Sequence, residues 1–151
     1  MDSFKVRSAS KRDLAAIYAI EDNSFSDPYP QDLLTRLLHE YPISFLVAEA
    51  NSDIIVGYCV ASTENYSAHL LSIGVLPQYR RHGIGTALIE ALMAALGSGA
   101  RELMLEVKQE NKGAIRLYED LGFRRVGFVE NYYADGSSAV KMQLTIPHKR
   151  T

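Results

Sequence analysis

The chain has 151 residues, of which 47% are apolar and 23% charged, a length and composition that suit one soluble globular domain spanning residues 1–151 and fit neither a disordered nor a fibrous protein. Its formal net charge of −2 argues against a protein that holds nucleic acid through phosphate contacts alone. Apolar stretches such as Ile84–Leu96 are interrupted by Gly85, Thr86 and Glu90, so no membrane span is expected.

Residues 4–7 alternate as a short first strand. Ser10 followed by Asp13 resembles a helix N-cap ahead of Leu14, Ile17 and Ile20, and Asp27-Pro28-Tyr29-Pro30 breaks that helix. Leu33, Leu34, Leu37 and Leu38 repeat at helical spacing and predict a second helix. The β-rich runs 43–50 and 54–62 flank Asn51-Ser52-Asp53, the composition of a hairpin turn, and residues 69–75 supply another strand. From Gly83 the period changes: Ile84, Ala87, Leu88, Ala91, Leu92 and Ala95 form one helical stripe, closed by Gly97 and Gly99. Leu103, Leu105 and Val107 alternate with Met104, Glu106 and Lys108, a strand with two differently occupied faces. A helix capped by Asn111 and ended by Gly122 follows, then strands over 124–133 and 140–146 joined through Ala134-Asp135-Gly136. The order predicts a mixed α/β (α+β) fold, a sheet covered by helices.

Cys59 is the only cysteine, which excludes an internal disulfide and fits a reducing compartment. Residues 1–12 lack the apolar core of a secretory signal, so a cytoplasmic location is expected. His39, His69, His82 and His148 lack the spacing of a zinc site, and no metal is implied.

The strongest chemical signal follows the strand at 69–75. Arg80-Arg81-His82-Gly83-Ile84-Gly85-Thr86 places two glycines in a turn and opens a helix. Glycine lets backbone approach a ligand, and the free amides and dipole of a helix start favour an anion. Arg80, Arg81 and His82 add positive charge there, so the segment reads as a pyrophosphate cradle. A nucleotide P-loop would end in Gly-Lys-Ser/Thr, and the dinucleotide fingerprint would need a third glycine where Leu88 stands. A basic strand-to-helix turn with purely structural glycines is the plainer alternative.

At these residues the sequence resembles the GNAT acetyltransferase superfamily, whose motif Gln/Arg-x-x-Gly-x-Gly/Ala is matched by Arg80, Gly83 and Gly85. Leu105-Glu106-Val107, Asn111, the run from Leu117 to Phe123, and Asn131-Tyr132-Tyr133 extend the resemblance to the ribosomal-protein alanine and archaeal amino-terminal acetyltransferases, over roughly residues 43–146. The resemblance implies a sheet of about seven strands with four helices, splayed between strands 69–75 and 102–108, and acetyl-CoA as acetyl donor lying in that gap. It further implies that Ile73, Gly74 and Val75 bond the pantetheine, that residues 80–86 hold the pyrophosphate, and that Asn111 touches the cofactor's arm.

Acetyl transfer from a thioester to an amine requires a neutral amine, a stabilised oxyanion and a proton for the leaving thiolate. Glu106 projects opposite the apolar face of its strand, and the resemblance gives it the role of base, directly or through water. Tyr118 lies on the apolar stripe of its helix, and the resemblance makes it the general acid; a phenol near 10 outranks a thiol near 8.5 as a proton source. The Val75 amide is the implied donor to the acetyl oxygen, and His69 is a second candidate for removing the amine proton through water. An α-amine, at about 7.7–8.0, is easier to deprotonate than a lysine at about 10.4, which favours the amino end of a protein or peptide, a ribosomal protein among them, as substrate. Phe25, Tyr29, His69, Tyr132 and Tyr133 are candidate substrate-binding residues. Glu21, Asp22 and Asp27 are candidates for attracting the amine, against the ordinary reading of solvated acids. Three competing readings are a lysine, polyamine or small-molecule acetyltransferase, an acyl-CoA sensor, and a nucleic-acid binder using Arg80 and Arg81.

Overall fold

The computed structural model describes residues 3–25, 27–97 and 99–147. Met1, Asp2 and His148 lie outside them. The chain divides into two units, Met1–Ser62 with Leu70–Leu96, and Thr63–His69 with Gly97–Thr151. The strands form one seven-stranded sheet in the order β1-β2-β3-β4-β5-β7-β6, within a mixed α/β architecture with four α-helices.

In the first unit, β1 (Phe4–Ser8) pairs antiparallel with β2 (Phe45–Ala50), which pairs antiparallel with β3 (Ile54–Glu64). The expected turn at residues 51–53 is a 3₁₀ turn in which Asp53 takes φ 63°. Helix α1 (Leu14–Ser24) follows a 3₁₀ turn over Lys11–Asp13, so regular helix begins three or four residues later than the Ser10 cap suggests. Asp13 is the reason: its carboxylate accepts from the Ser10 amide at 2.8 Å and from the Arg7 guanidinium at 2.9 and 3.0 Å, tying the turn to β1. Helix α2 spans Gln31–Glu40. Ile17, Ile20, Leu34, Phe45, Val47, Tyr58 and Val60 are almost wholly buried and form the core of this unit.

Helix α3 (Ile84–Leu96) buries Ile84, Leu88, Ile89, Leu92 and Leu96. The stripe is turned from the expected one, with Ala87, Ala91 and Ala95 on its flank. Size explains this: each fully buried Leu or Ile stabilises by roughly 1.5–3 kcal/mol, so the larger side chains take the core.

In the second unit, the first residues of β4 (Ser67–Val75) pair in parallel with β5 (Glu102–Lys108), Ser67 with Glu102, Ala68 with Leu103 and His69 with Met104. Strand β5 also pairs along its length with β7 (Ala139–Thr145), and β7 with β6 (Arg124–Val129). Strand β6 stops short of the expected 133, because Asn131 turns left-handed at φ 52° and places Tyr132 and Tyr133 in the connecting loop.

Helix α4 (Lys112–Asp120) is fixed at both ends. The Ala114 amide donates to Asn111 Oδ1 at 3.2 Å. At the other end Gly122, at φ 104°, donates to the Glu119 carbonyl at 3.0 Å while the Phe123 amide donates to the Tyr118 carbonyl at 2.9 Å, the Schellman pattern. Its customary apolar contact is the Tyr118 ring against Phe123, centroids 5.5 Å apart, worth about 0.5–1.5 kcal/mol beyond burial.

Candidate functional site

The first unit carries the anion-binding features. Strand β4 ends at Val75, and residues 80–83 lead into α3 with Arg81 at φ 64° and Gly83 at φ 81°. Nothing stands within 4 Å of where a Cβ on Gly83 would be, so the turn is open on that side. The Gly83 carbonyl accepts from the Ala87 amide at 3.0 Å, which starts the helix and leaves the amides of Ile84, Gly85 and Thr86 as first-turn donors without intrahelical acceptors. Arg80, Arg81 and His82 are exposed beside them. An open left-handed glycine, three aligned amides and three basic side chains fit a diphosphate by charge and by donor type.

Arg80 has a second task. Its Nε donates to the Val75 carbonyl at 2.9 Å, joining the cradle to the end of β4 and leaving the Nη groups to meet an anion. Gly74 is closely packed: a Cβ there would stand 3.0 Å from Ile20 Cγ2 and 3.1 Å from Ser24 Oγ, so those side chains would have to shift by a few tenths of an ångström. Ser24 Oγ is the buried side-chain oxygen that lacks a hydrogen-bond partner among the described residues.

The second unit holds a histidine–glutamate pair of the kind that can transfer protons. Glu106 and His69 lie on neighbouring strands, one step apart diagonally, since His69 is opposite Met104. His69 Nε2 lies 2.6 Å from Glu106 Oε1, and the Glu106 side chain is 14% exposed against 40% for His69. The hydrogen bond from His69, with the charge of Lys141 across the β5–β7 pair and a hydrogen bond from Tyr132, holds the Glu106 carboxyl below its ordinary range despite burial. Burial and then the Glu106 charge push the Tyr132 phenol up. His69, Glu106 and Tyr132 are thus brought together. Tyr132 also stacks edge-on against Tyr133 at 5.0 Å, and Lys108 Nζ lies 5.4 Å from the Tyr133 ring centre.

Tyr118 is 7% exposed, as its place on the α4 stripe suggests. Asn111 spends its side-chain oxygen on the helix cap, so the amide nitrogen is the group it offers a ligand. Phe25 is partly exposed, and Tyr29 is half-buried with its phenol donating to the Leu71 carbonyl at 3.0 Å.

Glu21 departs from the solvated acid of the sequence reading: it is 3% exposed. It accepts from the Tyr58 hydroxyl, from Ser72 Oγ at 3.1 Å and from the Tyr29 amide at 2.8 Å. The signal was present, for Glu21 continues the Leu14, Ile17 stripe at helical spacing.

Among the described residues no helix is long and apolar enough to cross a membrane, which says nothing of β-barrels.

The pattern of the Acetyltransferase (GNAT) family matches residues 14–123. The N-alpha-acetyltransferase of Sulfurisphaera tokodaii is 38% identical over 92% of this chain and 91% of its own length. The [ribosomal protein bS18]-alanine N-acetyltransferase of Escherichia coli is 32% identical over 93% and 97%. Among solved structures, Ard1 from Thermoplasma volcanium superposes with a TM-score of 0.90 at 31% identity, covering 96% of this chain and 99% of that one. The NatC complex bound to Gag peptide and CoA gives 0.87 at 26% identity, covering 97% and 100%. The motif around Gly83, the fold and these relatives agree, and the chain belongs to the GNAT family of acetyl-CoA-dependent acetyltransferases.

Proposed function

We propose that the chain, acting as one domain over residues 1–151, acetylates the α-amino group at the N-terminus of a protein or peptide by direct attack in a ternary complex. The observation that carries this reading is the His69–Glu106 pair at 2.6 Å. A carboxylate accepts, so the His69 Nε2–H donates to Glu106, and the lone pair of the neutral imidazole then sits on Nδ1. An imidazole, ordinarily near 6.5, is better matched to an α-amine at about 7.7–8.0 than a carboxylate near 4.3, and Glu106 is held lower still. His69 therefore removes the amine proton through water, and Glu106 fixes its tautomer and stabilises its charged form. Tyr118 serves as proton donor to the departing thiolate.

Acetyl-CoA supplies the activated thioester. The amides and basic side chains of residues 80–86 hold its diphosphate, Ile73, Gly74 and Val75 offer main-chain groups to its arm, and Asn111 adds its side-chain amide. Phe25, Tyr29, Tyr132 and Tyr133 receive the peptide. The names of the relatives support the α-amine, and that of the Escherichia coli enzyme makes a ribosomal protein a candidate target. A free, buried Cys59 suits a reducing cytoplasm.

The test is acetyl transfer to peptides with a free amino end, against the same sequences blocked there but containing lysine, with the acetyl group located by mass spectrometry. Modification of the free α-amine is expected. Turnover of the blocked, lysine-bearing peptides alone would reassign the substrate.

A further inference from the structure

Beyond the proton-transfer pair, the first unit holds a second carboxylate with a different setting. Glu21 sits in the last two turns of α1, 3% exposed, and no cation among the described residues lies within ion-pair distance of it. Three donors converge on its two oxygens. Ser72 Oγ and the Tyr58 hydroxyl meet Oε1, and the Tyr29 amide meets Oε2 at 2.8 Å. Tyr58 is fully buried in β3 and Ser72 is buried in β4, so Oε1 is anchored to the rigid sheet. Oε2 reaches instead to the loop joining α1 to α2.

In that loop the Tyr29 side chain packs against the core cluster of the unit. Pro28 and Pro30 on either side of Tyr29 lack amide hydrogens, so the Tyr29 N–H is the one main-chain donor of the Pro-Tyr-Pro stretch, and Glu21 takes it. The Tyr29 phenol makes the second anchor, to the Leu71 carbonyl at 3.0 Å. Both anchors run to the sheet, one through Glu21 and one directly. The partners, Leu71 and Ser72, immediately precede residues 73–75 of β4.

We infer that Glu21 is a positioning residue which, without touching substrate, clamps the Pro28-Tyr29-Pro30 loop to β3 and β4 and so presents Tyr29 and Phe25 to the incoming amino end. This rests on the amine-acetylating reading above. The carboxylate accepts on both oxygens. A methionine, similar in length, offers neither, so the Tyr29 N–H loses its partner while the Tyr58 and Ser72 hydroxyls, 2.7 Å apart, keep each other. Burial excludes direct attraction of the ammonium by Glu21.

Glu21→Met is measured two ways. Without substrate, hydrogen exchange of the Tyr29 amide is expected to accelerate about tenfold, as loss of its side-chain acceptor implies. With a free-amino peptide, KM is expected to rise about tenfold while kcat stays within about threefold and acetyl-CoA affinity is unchanged. Ser72→Ala removes a donor to Oε1 and leaves the Tyr29 bond, so the peptide KM is expected to stay near wild type. If Glu21→Met does not fold, Tyr29→Phe, which cuts the phenol anchor, is expected to speed exchange of the residue 29 amide without substrate and to raise the peptide KM in the same way. Unchanged Tyr29 exchange, a fall in kcat at constant KM, or an equal KM rise in Ser72→Ala would overturn the inference. A wild type that acetylates no free-amino peptide would instead defeat the substrate reading, and the exchange result would stand independently.

Discussion

Glu21 and Glu106 are both glutamates with a tyrosine hydroxyl among the donors on the carboxylate, yet the roles proposed for them differ. Glu21 is shut into the first unit and surrounded by hydroxyls and an amide, none of which changes its charge near neutral pH. Glu106 lies in the second unit beside an imidazole that is 40% exposed. Exposure and the identity of the other donors, rather than the carboxylate itself, divide a clamp from a proton relay.

The predictions test that division, and the largest effect is expected outside both carboxylates. Tyr118→Phe keeps the Schellman turn and its ring contact but removes the phenol, so kcat should fall on the order of 10²–10⁴ while calorimetric titration of acetyl-CoA is unchanged. Equal loss of both would make Tyr118 a packing residue, and retained turnover would remove it from the chemistry. His69→Gln should cost about 10² in kcat and leave the peptide KM near wild type, since the relay and not the groove is broken. A KM effect alone would move His69 to the groove.

Next in size is Gly83→Ala. The left-handed φ of 81° makes any Cβ unfavourable by about 1–2 kcal/mol although nothing obstructs it, so acetyl-CoA affinity should weaken about tenfold with saturated kcat preserved. An unaffected titration would place the diphosphate elsewhere. The smallest effect is on stability. Glu106 is held below its unfolded value near 4.3, so its contribution is present above that pH and is lost as pH falls through the folded value. Thermal melts from about pH 6 to about pH 3 should therefore show wild type losing stability faster than Glu106→Gln. Parallel curves would mean that the pair does not stabilise the fold.

Most of the fold was legible because its signals are local. Glycines at 83 and 122, the Asn111 cap and the alternation of residues 103–107 mark their elements directly. The stripe of α3 was misjudged because alanine and leucine count alike in a pattern and differ in buried area. Strand β6 ends earlier than its composition suggests because Asn131, between Glu130 and the strand-forming Tyr132 and Tyr133, turns left-handed. At the candidate site, the type of residue in the cradle could be read, but the pairing of His69 with Glu106 depends on strand register, which residues 69 and 106 do not reveal. The burial of Glu21 is legible in the Leu14, Ile17 stripe, but a glutamate near a helix end is ordinarily solvated, and two of its donors, Tyr58 and Ser72, stand 37 and 51 residues away.

The most direct measurement is the initial rate at which wild type and Glu106→Gln acetylate one free-amino peptide, at saturating acetyl-CoA and varied peptide. The His69–Glu106 relay predicts α-amine acetylation by wild type and a kcat lower by about 10² in the variant at nearly constant KM. A variant that turns over as fast as wild type would contradict it.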